Sequence, residues 1–340
     1  MHGFVDLRSD TVTRPTDAMR RAMADADVGD AGRGEDPTVN ALEAEVAELL
    51  GKADALFMPS GTMSNQVALR VLARPGEGVI VGARQHIVRV EDTGPSGARV
   101  RWLSVDDTNG VLDPREVERT ALQAQGAPGP TTMIAVENTH AAAGGRVWQV
   151  SDLHLLADVA AHLGLAVHMD GARLWNASVA SGEDEADLTA AATTVACCLS
   201  KGLAAPVGSL LAGPADVVEA ARDIRRRLGG TMRQAGVLAA AGIIALHQMR
   251  ERLVEDHERA ARLALAVAER WPDLGFDPLA VQTNIVAFAH ARPGELIAFL
   301  EANGVLATMT GPAGVRLVTH LDVDDDGVER ACRALADSPR

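Results

Sequence analysis

Lys201 stands between a run of small and apolar residues, Thr193 to Leu199, and a Gly/Ala/Pro loop, in a chain with few lysines and many arginines. Burial disfavours an ammonium ion and leaves an amine that attacks carbonyls; the plainer alternative is a side chain that snorkels to water from a strand end. Other short apolar runs also end in groups with chemistry. Asp170 follows "AVHM", where an acid is costly unless paired, and an ion pair with Arg173 or a turn cap would also account for it. His86 follows "GVIVG", and Glu137-Asn138-Thr139-His140 follows "TMIAV", although a lone histidine is more often structural. Pro59-Ser60-Gly61-Thr62 follows "ALFM" and opens a helix. A strand, a turn of small residues and a helix start present backbone N–H groups and the positive helix end to an anion, though such turns also serve merely as caps.

Each feature alone has a bland reading. Together they place an anion cradle, two histidines, an acid and a lysine at the exits of separate strands. Pyridoxal 5′-phosphate asks for this set: a cradle for its phosphate, a lysine for its aldehyde, an acid opposite the ring nitrogen and a flat partner for the ring. No GxGxxG follows a strand, so a dinucleotide is poorly supported.

The elements that must position these groups are legible as a rhythm. Apolar runs at 55–58, 78–82, 100–105, 132–137, 166–170, 194–199 and 208–213 alternate with helical stretches, among them 61–74, 114–124 and 151–163. That alternation predicts an α/β fold with a mainly parallel sheet covered on both faces, whose ligands bind beyond the carboxyl ends of the strands. Asp36-Pro37 predicts a capped helix start, with Leu42, Val46, Leu49 and Leu50 on one face. Beyond 214 helices dominate, and strands near 283–290 and 315–320 predict a smaller C-terminal α+β domain. The expected division is an N-terminal arm over 1–36, a large cofactor-binding domain over 37–245 and a small domain over 246–340. The arm reads as too polar for core and is expected to lie across another surface, such as a second subunit.

The 340 residues carry a formal net charge of −14, which argues against nucleic acid and anionic membranes as partners. Three cysteines, Cys197 and Cys198 adjacent in an apolar run, make no disulfide framework and read as packed thiols. The first residues lack the apolar stretch of a signal peptide, and the longest apolar run, 236–246, is short of the ~20 residues that cross a bilayer. The expectation is a cytoplasmic protein with no identifiable metal ligand set.

The stretches "DLRSDTVTRPTDAMRRAM", "GEDPTVNALEAEVAELLGK", "PSGTMSNQVAL", "ENTH", "HMDGARLWNA", "CLSKGL", "PVGSLLAG", "GGTMRQAGVLAAAG" and "VRLVTHLD" span nearly the whole chain. In that order they resemble the L-threonine aldolases, of the β-eliminating lyase group of fold-type-I pyridoxal-phosphate enzymes. The resemblance implies that Lys201 forms the Schiff base, Asp170 pairs with the ring nitrogen and His86 stacks on the ring. It implies that Ser60, Gly61 and Thr62 hold the phosphate, helped from a neighbouring subunit by Arg226 and Arg233. Ser9, Arg173 and Arg316 would grip the substrate carboxylate, with His140 near the β-hydroxyl as base or orienting group. The implied reaction is retro-aldol cleavage of a β-hydroxy-α-amino acid to glycine and an aldehyde, in a homodimer or homotetramer with shared sites.

The chain departs from the family pattern at the pocket wall. Arg33 stands where a tyrosine is usual, and an added cation there would favour a substrate with an acidic side chain. "IVRVED" after His86 lacks the expected aromatic residues, Ala141 replaces a common asparagine, and Arg226 stands where lysine is usual. Two other readings stay open: a β-eliminating or transaldolase-type variant on a different β-substituted amino acid, and a cofactor-binding protein without turnover.

Overall fold

Seven apolar runs pair into one sheet in the computed structural model, which describes residues 3–91 and 97–339. After a two-residue strand β1 (Val5–Asp6) come its members: β2 (Asp54–Met58), β3 (Gly78–Gly82), β4 (Arg101–Val105), β5 (Thr131–Glu137), β6 (Ala166–Gly171), β7 (Thr194–Cys198) and β8 (Ser209–Gly213). The order across the sheet is β2-β8-β7-β6-β5-β3-β4. Only β8 runs against the rest, being antiparallel to both β7 and β2. The expected mainly parallel α/β sheet is present.

The helices are α1 (Asp17–Ala24), α2 (Pro37–Leu49), α3 (Gly61–Leu72), α4 (Pro114–Gln123), α5 (Val150–Leu163), α6 (Leu174–Ser181), α7 (Glu185–Thr189), α8 (Ala215–Arg227) and α9 (Gly236–Met249). Alternation along the strands explains how both sheet faces are covered. Ala55 and Phe57 of β2 join a core with α2, α5 and α9 residues, while Leu56 and Met58 join another with α3 and α8. A strand buried on both faces must be apolar throughout, which is why these runs do not alternate with polar residues. Asp36 caps α2 as expected, its Oδ1 accepting the Val39 N–H at 3.0 Å. Its other oxygen accepts the Gly236 N–H at the start of α9, 200 positions away, at 2.8 Å.

The C-terminal part holds α10 (Leu253–Arg270), β9 (Ile285–Ala289), α11 (Pro293–Ala302), β10 (Val305–Leu306), β11 (Thr308–Thr310), β12 (Gly314–Val318) and α12 (Asp325–Asp337). Its antiparallel sheet has the order β11-β12-β9. Within the N-terminal segment, several residues pack on their own chain. Strand β1 pairs in parallel with β10, Val5 and Leu7 enter the C-terminal core, and Met19 is buried in the large one. The reason is local: a few apolar residues at useful spacing, and unpaired backbone groups on β10 that accept a neighbouring strand. None of the helices among the described residues is long and apolar enough to cross a membrane.

Candidate active site

Parallel pairing aligns the carboxyl ends of the central strands, placing Glu137 opposite Asp170 and Gly171 opposite Cys197. A cavity of about 320 Å³ opens there, and Ser60, Gly61, Thr62, His86, Asp170 and Lys201 all line it. Lys201 is half-buried, and its amine has no hydrogen-bond or ion-pair partner among the described residues. Its loop is tight: Ala204 donates its N–H to the Lys201 carbonyl at 2.9 Å and sits at φ 59, a left-handed conformation that L residues other than Gly, Asn and Asp rarely adopt. Thr13, from the N-terminal segment, donates its hydroxyl to the same carbonyl at 3.2 Å.

At the start of α3, Ser60 Oγ accepts the Met63 N–H at 3.2 Å, and the Ser60 carbonyl accepts the Ser64 N–H. The N–H groups of Gly61 and Thr62 have no acceptor among the described residues. Gly61 is required by close approach: a Cβ there would lie 2.6 Å from Cys198 Sγ on β7.

Asp170 is held by a chain of side chains that the sequence did not single out for this task. Asn65 Nδ2 donates to Asp170 Oδ2 at 2.9 Å and to Glu91 Oε1 at 3.1 Å. Asn65 Oδ1 must then accept from His168 Nε2 at 3.0 Å, so His168 Nδ1 accepts from the Thr194 hydroxyl at 2.9 Å. Complete burial keeps this ring neutral, lowering its pKa to about 4. This network, with the Ala172 N–H donating to Asp170 Oδ1 at 3.1 Å, holds the carboxylate in one orientation.

His86 is half-buried, and its Nδ1 lies 2.7 Å from Glu91 Oε1, a hydrogen bond that raises the imidazole pKa above its ordinary value. Ligand atoms of His86, Glu91 and Asp170 fall within 4.8 Å of one another, although His86 and Glu91 are bonded to each other. Glu137, fully buried at the end of β5, accepts the N–H groups of His86 at 2.7 Å and Ala141 at 2.8 Å. Burial, then the charge of Asp170, push its carboxyl pKa up.

Arg173 forks onto Asp10, with Nε to Oδ2 and Nη2 to Oδ1 both at 2.7 Å. Burial alone would raise the Asp10 carboxyl, but the guanidinium outweighs it and holds the pKa at about 2. Arg316 has no carboxylate partner among the described residues: it donates to the Arg8 carbonyl at 3.3 Å, and its buried Nε is unbonded. Burial and then the nearby Arg173 charge lower its pKa. Two guanidinium groups with one carboxylate between them leave a net positive site. Ser9, three residues beyond β1, accepts from the Thr11 N–H and hydroxyl.

The structure does not bring every expected residue to the cavity. His140 is buried completely, with Nε2 2.8 Å from Asp107 Oδ2 and Nδ1 accepting the Ala143 N–H at 3.2 Å. Both nitrogens are engaged, so the ring offers no lone pair to a substrate hydroxyl in this arrangement. Arg226 and Arg233 are each 69% exposed and face Asp223 and Asp30, outside the cavity of their own chain. Arg33 also faces Asp30, at 3.7 Å, in solvent.

A family model described as beta-eliminating lyase matches residues 6–291. The chain belongs to the beta-eliminating lyase family. Within it, the low-specificity L-threonine aldolase 1 of Arabidopsis thaliana is 39% identical, covering 95% of this chain and 93% of that protein. The low specificity L-threonine aldolase of Escherichia coli (strain K12) is 40% identical, covering 94% and 95%. A solved threonine aldolase of Leishmania major shares the fold with a TM-score of 0.83 at 20% identity, covering 97% and 98%.

The cofactor of this beta-eliminating lyase is pyridoxal 5′-phosphate. The residues present fit it: an uncommitted amine, a braced carboxylate and two free N–H groups at a helix start face one cavity. Residues that sequence reasoning missed are Asn65, Glu91, His168 as a brace, Asp10 and Asp107. Apart from Glu91, five residues from His86, their partners are remote in sequence.

Proposed function

We infer that this beta-eliminating lyase cleaves a β-hydroxy-α-amino acid of the threonine type between Cα and Cβ, giving glycine and an aldehyde. One observation carries the reading: Lys201, Asp170 and the Ser60-Gly61-Thr62 helix start line a single cavity beside the Arg173–Arg316 cation pair. Lys201 would hold the cofactor aldehyde, Asp170 its ring nitrogen, His86 its ring face, and Ser60, Gly61 and Thr62 its phosphate. When bound, the cofactor accepts the electron pair left at Cα as the bond breaks.

The chain's own residues do the rest. Arg173, Arg316 and Ser9 would grip the substrate carboxylate, and two guanidinium forks orient it more firmly than point charges would. Asp10 keeps the Arg173 fork in place. His86 Nε2 carries no bond among the described residues and, with Nδ1 turned to Glu91, would take the substrate hydroxyl proton. His140 is then an orienting group: clamped by Asp107, it holds the Ala141–Ala143 turn, whose first N–H meets Glu137. Arg226 and Arg233 would complete the phosphate site from a second subunit, a reading supported by their exposure and by the family resemblance. A homodimer or homotetramer and a cytoplasmic location belong to the same proposal.

The test is a product assay on L-threonine and L-allo-threonine with the cofactor supplied. Equimolar glycine and acetaldehyde are expected. Ammonia and a keto acid in their place would overturn the reading in favour of β-elimination.

A further inference from the structure

A second cavity, of about 540 Å³, adjoins the first and shares His86 with it. Its walls carry Arg84, Arg89 and Arg316, with Glu137 the single acidic residue among the described lining. Both Glu137 oxygens are committed to the backbone N–H groups of His86 and Ala141. The Arg84 guanidinium donates to the carbonyls of Thr108 and Ala142, and only the backbone N–H of Arg84 meets a carboxylate, that of Asp107. The Arg89 guanidinium has neither hydrogen bond nor ion pair among the described residues, and that of Arg316 none with an acid. A chain of net charge −14 thus gathers, around one concavity next to its reactive centre, three guanidinium groups without acidic partners among the described residues. Arg89 is exposed, so the grouping costs mainly mutual repulsion, which an anion received there would relieve.

We propose that this cavity receives the β-substituent of the substrate and that Arg84 and Arg89 select one bearing a carboxylate, an α-amino-β-hydroxy dicarboxylic acid. The proposal rests on the cleavage reading above and deepens it. Arg316 lines this cavity and feels the Arg173 charge, so the α-carboxylate and the β-substituent would be held by charges on different elements. Arg33, the replacement at the usual tyrosine, lines neither cavity, and Arg89 supplies cationic character from the segment where aromatic residues were expected. For β-hydroxyaspartate the step balances. The Cα–Cβ bond breaks, the hydroxyl proton leaves to a base and the oxygen becomes the carbonyl of glyoxylate. Cα then takes one proton and leaves as glycine.

The test compares kcat/KM of the holoenzyme for β-hydroxyaspartate and for threonine. The dicarboxylate is expected to be favoured, and Arg89→Ala to reduce the ratio of the two values by about tenfold, the scale of a charge-assisted hydrogen bond. Arg89→Lys should restore much of the ratio and Arg89→Glu should invert the preference. A ratio that stays within about twofold across these variants overturns the proposal. L-Aspartate, which lacks a hydroxyl to deprotonate, gives an independent reading: calorimetric titration should show it binding about tenfold tighter than L-alanine, with the gain lost in Arg89→Ala. If no β-hydroxy amino acid is cleaved, the functional reading falls while aspartate binding still decides the pocket. Equal binding of aspartate and alanine overturns the pocket.

Discussion

The two cavities that meet at His86 are built on opposite principles. Around the first, polar side chains satisfy one another: Thr194, His168, Asn65, Asp170, Glu91 and His86 form one connected set of hydrogen bonds. Around the second, the Arg84 guanidinium meets only carbonyl oxygens and that of Arg89 meets no partner among the described residues. The first arrangement fixes geometry before any ligand arrives, as chemistry on a bound group requires. The second sets a field and leaves the pairing to the ligand. Reaction and selectivity thus draw on different physics within one site.

The largest expected effect belongs to the first cavity. Lys201→Ala should lower threonine cleavage by about a thousandfold or more and abolish borohydride trapping of the cofactor on the protein, read by intact mass. Activity within a factor of ten of wild type would break the distinction. Asp10→Asn removes the partner of a buried guanidinium, and urea unfolding should report a loss of about 3–5 kcal/mol. Its pH signature has a definite sign. The Asp10 pKa is about 2 against an ordinary 3.8, so its contribution is present above pH 4 and fades as pH falls toward 2, a fade the variant should lack.

His168 titrates the same way for the opposite reason. Its native pKa of about 4 lies below the ordinary 6.5, so the unfolded chain binds the extra proton first and stability declines as pH drops from 6.5 to 4. His168→Gln should flatten that stretch of the stability curve measured by thermal melts. A smaller, sharper effect concerns His86. Its pKa is raised chiefly by Glu91, so Glu91→Gln should move the acid limb of kcat to lower pH. An unmoved limb would assign the titration to another group. Smallest of all, Arg226→Ala should change stability by less than about 0.5 kcal/mol, because its ion pair with Asp223 is solvent-exposed.

Much of the fold was legible because its signals are local. All seven expected strand runs lie in the sheet, and the helix at Pro37 starts on the Asp36 cap that its sequence announces. The short helices α6 and α7, of 8 and 5 residues, escaped notice, since so few turns carry too little periodicity to stand out. In the N-terminal segment the expectation of too polar a stretch for core fails at Val5, Leu7 and Met19, because a few well-placed apolar residues suffice to enter a core. At the site, residue type was readable and partnership was not. Asp10 and Arg173 lie 163 positions apart, and Asn65 and Asp170 lie 105 apart. His140 was visible as a histidine after a strand, while the Asp107 that occupies its ring comes from the loop after β4.

The amino-acid order by itself determined where strands end and which groups follow them, because period, caps and small-residue turns act over a few residues. It therefore determined that an amine, a carboxylate and an anion cradle would gather at one sheet edge. Only the tertiary structure decided which of those groups remain free to act. Lys201 and Arg316 meet no carboxylate among the described residues, His140 and Arg173 do, and the difference depends on which distant chain segments pack beside each. Charge neutralisation is a property of neighbours in space, and packing chose those neighbours.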